Sequence, residues 1–178
     1  MNIASSVAQD AQEVKLTDIY VMKTGDNSKG INIGDSPSKL EALLGAPNRV
    51  YDYYLQMDEK NARVFQYGLN LFYFLDGKLA TYDLYDGQVS VGTIGGTSYK
   101  VGDMLTVKTT RHKLGGGSTY HTTVTKSFLN FKLNTTPGKT RNIPYGTVIQ
   151  AWINRSDAIF EIVFDKGDKI VNICADSL

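Results

Sequence analysis

Hydrophobic positions follow two periods along this chain, one of strands and one of a helix. Val14, Leu16, Ile19 and Val21 alternate weakly with polar residues, which predicts a leading strand over 13–24. Asp26-Asn27-Ser28-Lys29-Gly30 comes next as a turn. The period then lengthens: Leu40, Leu43 and Leu44 place one apolar stripe on a helix of about two turns. Ser36 can cap that helix, Pro37 suits its first position, Gly45 suits the left-handed residue after it, and Pro47 prevents continuation. From Val50 the period returns to two. Strands are predicted over 50–55, 63–67, 69–75 and 78–85 as an antiparallel meander, with Asp76-Gly77 a strong hairpin signal. Residues 88–94 extend the sheet or bridge to the second half of the chain, and Gly95-Gly96 marks a boundary.

The pattern then recurs. Ile31-Asn32-Ile33-Gly34-Asp35 is echoed by Tyr99-Lys100-Val101-Gly102-Asp103, and Leu43-Leu44-Gly45 by Lys113-Leu114-Gly115. The hairpin Leu71 to Ala80 is echoed by Phe160 to Val171. Asp103 is expected to cap a second helix from about Met104 to Lys113, although Thr106, Val107, Thr109 and Thr110 are poor helix formers. Gly115-Gly116-Gly117-Ser118 reads as a flexible loop, and further strands are predicted near 120–125, 128–133, 148–153, 158–165 and 169–174, with a turn at Pro137-Gly138-Lys139. Two copies make a tandem pair, since a solenoid needs three or more. The expected fold class is therefore α+β, with two related modules, each a short helical segment packed on an antiparallel β-sheet. The division is a flexible N-terminal segment over 1–12, a first module over 13–94 and a second over 97–178.

Composition narrows the function classes. The 19 basic and 18 acidic residues are interspersed without a run, which argues against nucleic acid as a ligand, because phosphate binding needs a concentrated basic surface. A single cysteine, Cys174, excludes an intramolecular disulfide, and its alternating surroundings suggest a buried, inert thiol. No stretch approaches the length of a spanning helix. Residues 1–12 lack the charged start and apolar run of a full export signal, but their small residues suit the end of one, or a tether.

Reactive groups are sparse. His112 and His121 flank the glycine-rich loop near Ser118, yet there is no Gly-x-Ser-x-Gly elbow and no acid placed to orient either imidazole. No nearby motif adds ligands to make a metal site of the two histidines. Asp83 and Asp86, three apart on one strand, point to opposite faces, and Asp165 with Asp168 suits a hairpin tip. The glycine-rich loop lacks the lysine of a phosphate loop. No catalytic residue, cofactor or metal is expected. Aromatic content is the remaining signal: of eleven tyrosines, Tyr51, Tyr53, Tyr54, Tyr67, Tyr73, Tyr82 and Tyr85 fall in or beside predicted strands. Phe72, Phe74, Ile162 and Phe164 form the expected inward set, which leaves Leu71, Tyr73, Glu161 and Val163 outward. That outer face is either a binding surface or a second layer of core.

The run Gly34-Asp35-Ser36 leading into Leu43-Leu44-Gly45-Ala46-Pro47, then aromatic strands and Asp76-Gly77-Lys78-Leu79, resembles a bacterial envelope superfamily. That superfamily contains the tandem-repeat beta-lactamase inhibitory proteins and the small outer-membrane assembly lipoproteins. The resemblance covers residues 30 to 175 and implies a non-enzymatic, exported bacterial protein: periplasmic, an outer-membrane lipoprotein or secreted, its export signal absent from this chain. The expected partner is another secreted or envelope protein, with no nucleic acid and with membrane contact only through an N-terminal lipid tether. Tyr53, Tyr54, Tyr73 and Trp152 are the expected anchors, and the loops at Asp76-Gly77 and Gly115 to Ser118, Gly116 included, adjust the fit. Inhibitor, immunity and envelope-assembly roles stay open. A small-ligand or glycan receptor is the alternative, and a hydrolase using His112 or His121 is a third reading.

Overall fold

A computed structural model describes residues 18–56, 58–104, 107–114, 117–124, 142–143, 146–152, 159–165, 167 and 169–177, with side chains at 18–56, 58–104, 160–165, 167 and 169–177. Its elements in chain order are β1 (Tyr20–Lys23), α1 (Pro37–Leu44), β2 (Arg49–Leu55), β3 (Lys60–Tyr67), β4 (Asn70–Leu75), β5 (Lys78–Leu84), β6 (Val89–Gly92), β7 (Ser98–Tyr99), β8 (Val107–Leu114), β9 (Gly117–Val124), β10 (Asn142–Ile143), β11 (Gly146–Trp152), β12 (Ile159–Phe164) and β13 (Ile170–Asp176). The main sheet has eight strands in the order β10-β11-β12-β13-β5-β4-β3-β2, all antiparallel. A three-stranded sheet, β1-β6-β7, and the β8-β9 pair complete the described strands.

This architecture overturns the expectation of two helix-plus-sheet modules. The described chain is predominantly strand and contains one short helix. The second expected helix, over 104–113, is instead the strand β8, paired with β9 from Val107↔Val124 to Leu114↔Gly117. Local chemistry explains the difference. Val107, Thr109 and Thr110 are β-branched, lose side-chain freedom against a helical turn and fit a pleated strand. Gly117 and Ser118, expected in a loop, lie at the start of β9. The strand predicted over 128–133 and the turn at Pro137 fall outside the described residues.

The first helix forms as its sequence dictates. The Ser36 hydroxyl accepts from the Lys39 amide, Pro37 opens the helix, and the Gly45 amide donates to the Glu41 carbonyl at 2.8 Å. Leu40 is fully buried, and Leu43 and Leu44 are partly buried against the same core. That core lies on one face of the main sheet, where Phe65, Tyr67, Phe72, Phe74, Tyr82, Phe160, Ile162 and Phe164 meet Ile19, Val21 and Ile31. The four residues expected to point inward from β4 and β12 are all buried there. Tyr67 donates its hydroxyl to the Gly45 carbonyl at 2.9 Å, which ties the helix end to β3.

Two glycine-aspartate turns brace this sheet in the same way. Gly34 has φ +93° and Gly102 has φ +99°, a left-handed conformation that glycine adopts without a Cβ clash. In the first, the Asp35 carboxylate accepts from the Asn32 amide at 2.9 Å, while Gly34 and Asp35 exchange two 2.8 Å backbone bonds with Leu79. In the second, the Asp103 carboxylate accepts from the Lys100 amide at 2.9 Å, while Gly102 and Asp103 exchange two 2.8 Å bonds with Ile170. Asp103 therefore closes a turn and caps no helix. Leu79, second in β5, and Ile170, first in β13, lie at the start of the outgoing strands of the β4–β5 and β12–β13 hairpins. Because β5 and β13 run antiparallel side by side, the two braces sit at opposite ends of the sheet.

Candidate functional site

The face of the main sheet opposite the core carries Tyr51, Tyr53 and Tyr73. Alternation along β2 to β5, β12 and β13 sends Tyr51, Tyr53, Leu71, Tyr73, Thr81, Asp83, Glu161, Val163 and Cys174 to this face. Pairing then aligns residues across strands. One row runs Tyr51, Val64, Tyr73, Thr81, Asp176, Ile159, Trp152; the next runs Gln66, Leu71, Asp83, Cys174, Glu161, Gln150. Seven strands at a spacing of roughly 4.8 Å make the first row about 29 Å long.

Tyr53 and Tyr73 form the aromatic centre of one half. Their rings meet edge to face, with centroids 6.1 Å apart at 72°. Tyr53 is 51% exposed, whereas Tyr73 is half-buried and packs with Leu55 over Ala62, Leu75 and Ala80. Arg49 stacks its guanidinium 5.4 Å from the Tyr51 ring centroid. At the Tyr53 end of these strands, Asp76 and Gly77 form the tip of the β4–β5 hairpin. Both have positive φ, 49° and 73°, the signature of the tight turn whose twist matches its strands.

Beside the tyrosines the face is acidic. Burial raises the pKa of Asp83, and the Asp176 and Glu161 charges raise it further. Among the described residues the Asp83 carboxylate has no hydrogen-bond or ion-pair partner. Burial also raises Tyr73 and Tyr85, with the Asp83 charge the next cause for each. The Cys174 thiol, between Asp83 and Glu161 in the row, is pushed up to about 12 by burial and by those carboxylates. It is a protonated, unreactive thiol at neutral pH.

The expected anchors divide between faces. Tyr53 and Tyr73 share the open face, and Trp152 occupies the same cross-strand row as Tyr73, four strands away. Tyr54, 53% exposed, comes after Tyr53 in β2 and so projects from the other side. Gly116 lies outside the described residues, as does the side chain of Trp152. His112 pairs with Thr119 and His121 with Thr110 across β8-β9. Asp86 works apart from Asp83: it accepts from the Leu69 and Gln88 amides and from the Asn70 side chain. Asp165 accepts from the Gly167 and Lys169 amides in the hairpin tip. Among the described residues no three His, Cys, Asp or Glu side chains are placed to hold a metal ion, and no helix is long and apolar enough to cross a membrane.

Sequence reasoning missed the convergence of Asp83, Glu161 and Asp176. Each lies on a strand with the right alternation, but only the β5–β13 and β12–β13 pairings together bring them close. No family model, no curated protein and no solved structure matches this chain.

Proposed function

We propose that this chain is a non-enzymatic, exported bacterial protein that binds another protein through the open face of its main sheet. One observation carries the reading: large aromatic residues recur along a cross-strand row of about 29 Å, a span suited to a protein surface rather than to one small ligand. Tyrosine offers broad, rigid contact with a polar tip at small entropic cost, which suits Tyr51, Tyr53 and Tyr73 to an anchoring role. The half-buried Asp83 beside them favours a partner that brings a lysine or arginine to the face, since an opposite charge relieves the penalty that raises its pKa. Likeness to the beta-lactamase inhibitory proteins and the envelope-assembly lipoproteins supports the exported, bacterial part of the reading. Within it, Trp152 extends the contact to the far half of the sheet, and the Asp76-Gly77 tip borders it.

The test uses the two faces of β2. The immobilised protein is incubated with envelope and secreted extracts beside Tyr53→Ala and Tyr54→Ala variants. A saturable partner weakened by Tyr53→Ala and retained by Tyr54→Ala supports the open face. Equal retention by both variants, or no saturable partner, rejects it.

A further inference from the structure

A concavity lies in the other layer of the molecule, away from the open sheet face. It is a groove of about 380 Å³ between α1, the loop leaving β1 and the β6–β7 turn. Tyr20, Ala42, Leu43 and Ile94 supply its apolar walls, and Lys29 and Lys39 stand at its edge. We propose that this groove binds a small molecule with an apolar, ring-sized body and an anionic head group.

Three observations lead there. First, the groove is held open by structure on each side. The Gly95 amide donates to the Asn27 carbonyl at 2.8 Å and the Asn27 side chain donates to the Gly96 carbonyl at 2.9 Å, which fixes the β6–β7 turn against the loop. Val21 and Ile31 exchange two backbone bonds of 2.8 and 2.9 Å at the loop's far end, and Leu40 anchors the helix wall in the core. A preformed site loses little entropy on binding. Second, the walls leave apolar surface in water: Ile94 is 43% exposed, close to half-buried Leu43. Covering such surface is favourable, and the volume falls at the lower end of ligand-sized pockets.

Third, the groove's charge is of one sign. No carboxylate lines it, while two ammonium groups do. Lys39 is already paired with Asp35 at 2.7 Å. Lys29 has no ion pair among the described residues; Asp26, whose carboxylate accepts from the Ser28 amide and hydroxyl, feels its charge at longer range. An anion seated over Leu43 would therefore find one uncommitted cation and no repelling group in the lining. A cationic ligand of the same shape would be repelled by the uncommitted Lys29 and would gain no ion pair from the lining.

The experiment is a titration of the full chain with naphthalene-2-carboxylate, followed by backbone amide shifts, beside the same titration with naphthalene-2-methylamine. Saturable shifts centred on Ser28 to Gly30, Lys39 to Leu43 and Ile94 are expected for the carboxylate, with much weaker binding of the amine. Lys29→Glu should weaken the carboxylate roughly fivefold, the scale of one exposed ion pair lost and a repulsion gained. Ile94→Asp should remove binding. Both positions are exposed, and the same spectra report whether each variant is folded. Scattered or non-saturating shifts, equal binding of the amine, or full binding by either variant would overturn the assignment.

Discussion

Asn70 offers the sharpest test of how the face-bearing hairpin is held. It opens β4 and is fully buried, and every polar atom of its amide has work. Its carbonyl oxygen accepts from the Tyr85 amide at 2.9 Å and the Asp86 amide at 3.1 Å, while its nitrogen donates to the Asp86 carboxylate at 2.7 Å. Asn70→Ala deletes three bonds and leaves two amides short of a partner in a part-buried setting, while the Asp86 carboxylate oxygen keeps its bond from the Gln88 amide. Each such orphan costs about 1–3 kcal/mol, which puts the total for the two amides at about 2–6 kcal/mol. That is a large fraction of a typical domain's stability of about 5–15 kcal/mol. Asn70→Asp separates the contributions: it keeps an acceptor for both amides but sets a second carboxylate against Asp86. Its deficit should be large at neutral pH and shrink on acidification, as protonation removes the repulsion. Urea unfolding followed by far-ultraviolet circular dichroism reads both. A loss below about 1 kcal/mol for Asn70→Ala, or an Asn70→Asp variant as stable as the parent at neutral pH, would refute the account.

Leu40→Ala should cost about 2–5 kcal/mol in urea unfolding, whereas Leu43→Ala, at a half-buried position, should cost less; the reverse order would undo the packing of α1. Tyr82 is fully buried, and among the described residues its hydroxyl has no partner, so Tyr82→Phe should be neutral or stabilising by up to about 1 kcal/mol, and a clear loss of melting temperature would reveal a hidden bond. Asp83 has a pKa raised above 3.8, so the folded state holds its proton more tightly than the unfolded chain does. Stability from that group is complete below 3.8 and is lost as pH rises through the folded value; Asp83→Asn should therefore match the parent in acid and exceed it at neutral pH, and parallel pH curves would contradict this.

Legibility in the sequence depended on how local each signal was. The first helix was legible because Ser36, Pro37 and Gly45 each satisfy a requirement of a helix end within a few residues, and Leu40 supplies the buried contact. Asp76-Gly77 was legible for the same reason, since the turn demands two residues tolerant of positive φ. The second Gly-Asp pair misled: Gly102-Asp103 repeats the brace of Gly34-Asp35 faithfully, but the residues after it set their own backbone preference, and β-branching at Val107, Thr109 and Thr110 favours a strand. Inward and outward positions on β4 and β12 came from alternation alone. The acidic centre did not, because the register Asp83↔Cys174 joins distant parts of the chain and nothing local in either strand specifies its neighbour. Tyr53 and Tyr54 show the same limit at small scale: adjacency in sequence gathers them, and the pleat sends them apart.

The strand β13 comes after every other described strand in the chain, yet it sits in the middle of the eight-stranded sheet, between β12 and β5. On the ribosome, β2 to β5 therefore emerge early with the β5 edge unpaired, and that edge must wait for Ile173 to Asp176 before it is covered. An exposed edge of this kind invites pairing with other nascent chains. Delayed completion of the sheet makes synthesis rate and chaperone access determinants of yield, and it predicts that a ribosome stall just short of residue 170 leaves a fragment prone to self-association rather than a smaller working protein.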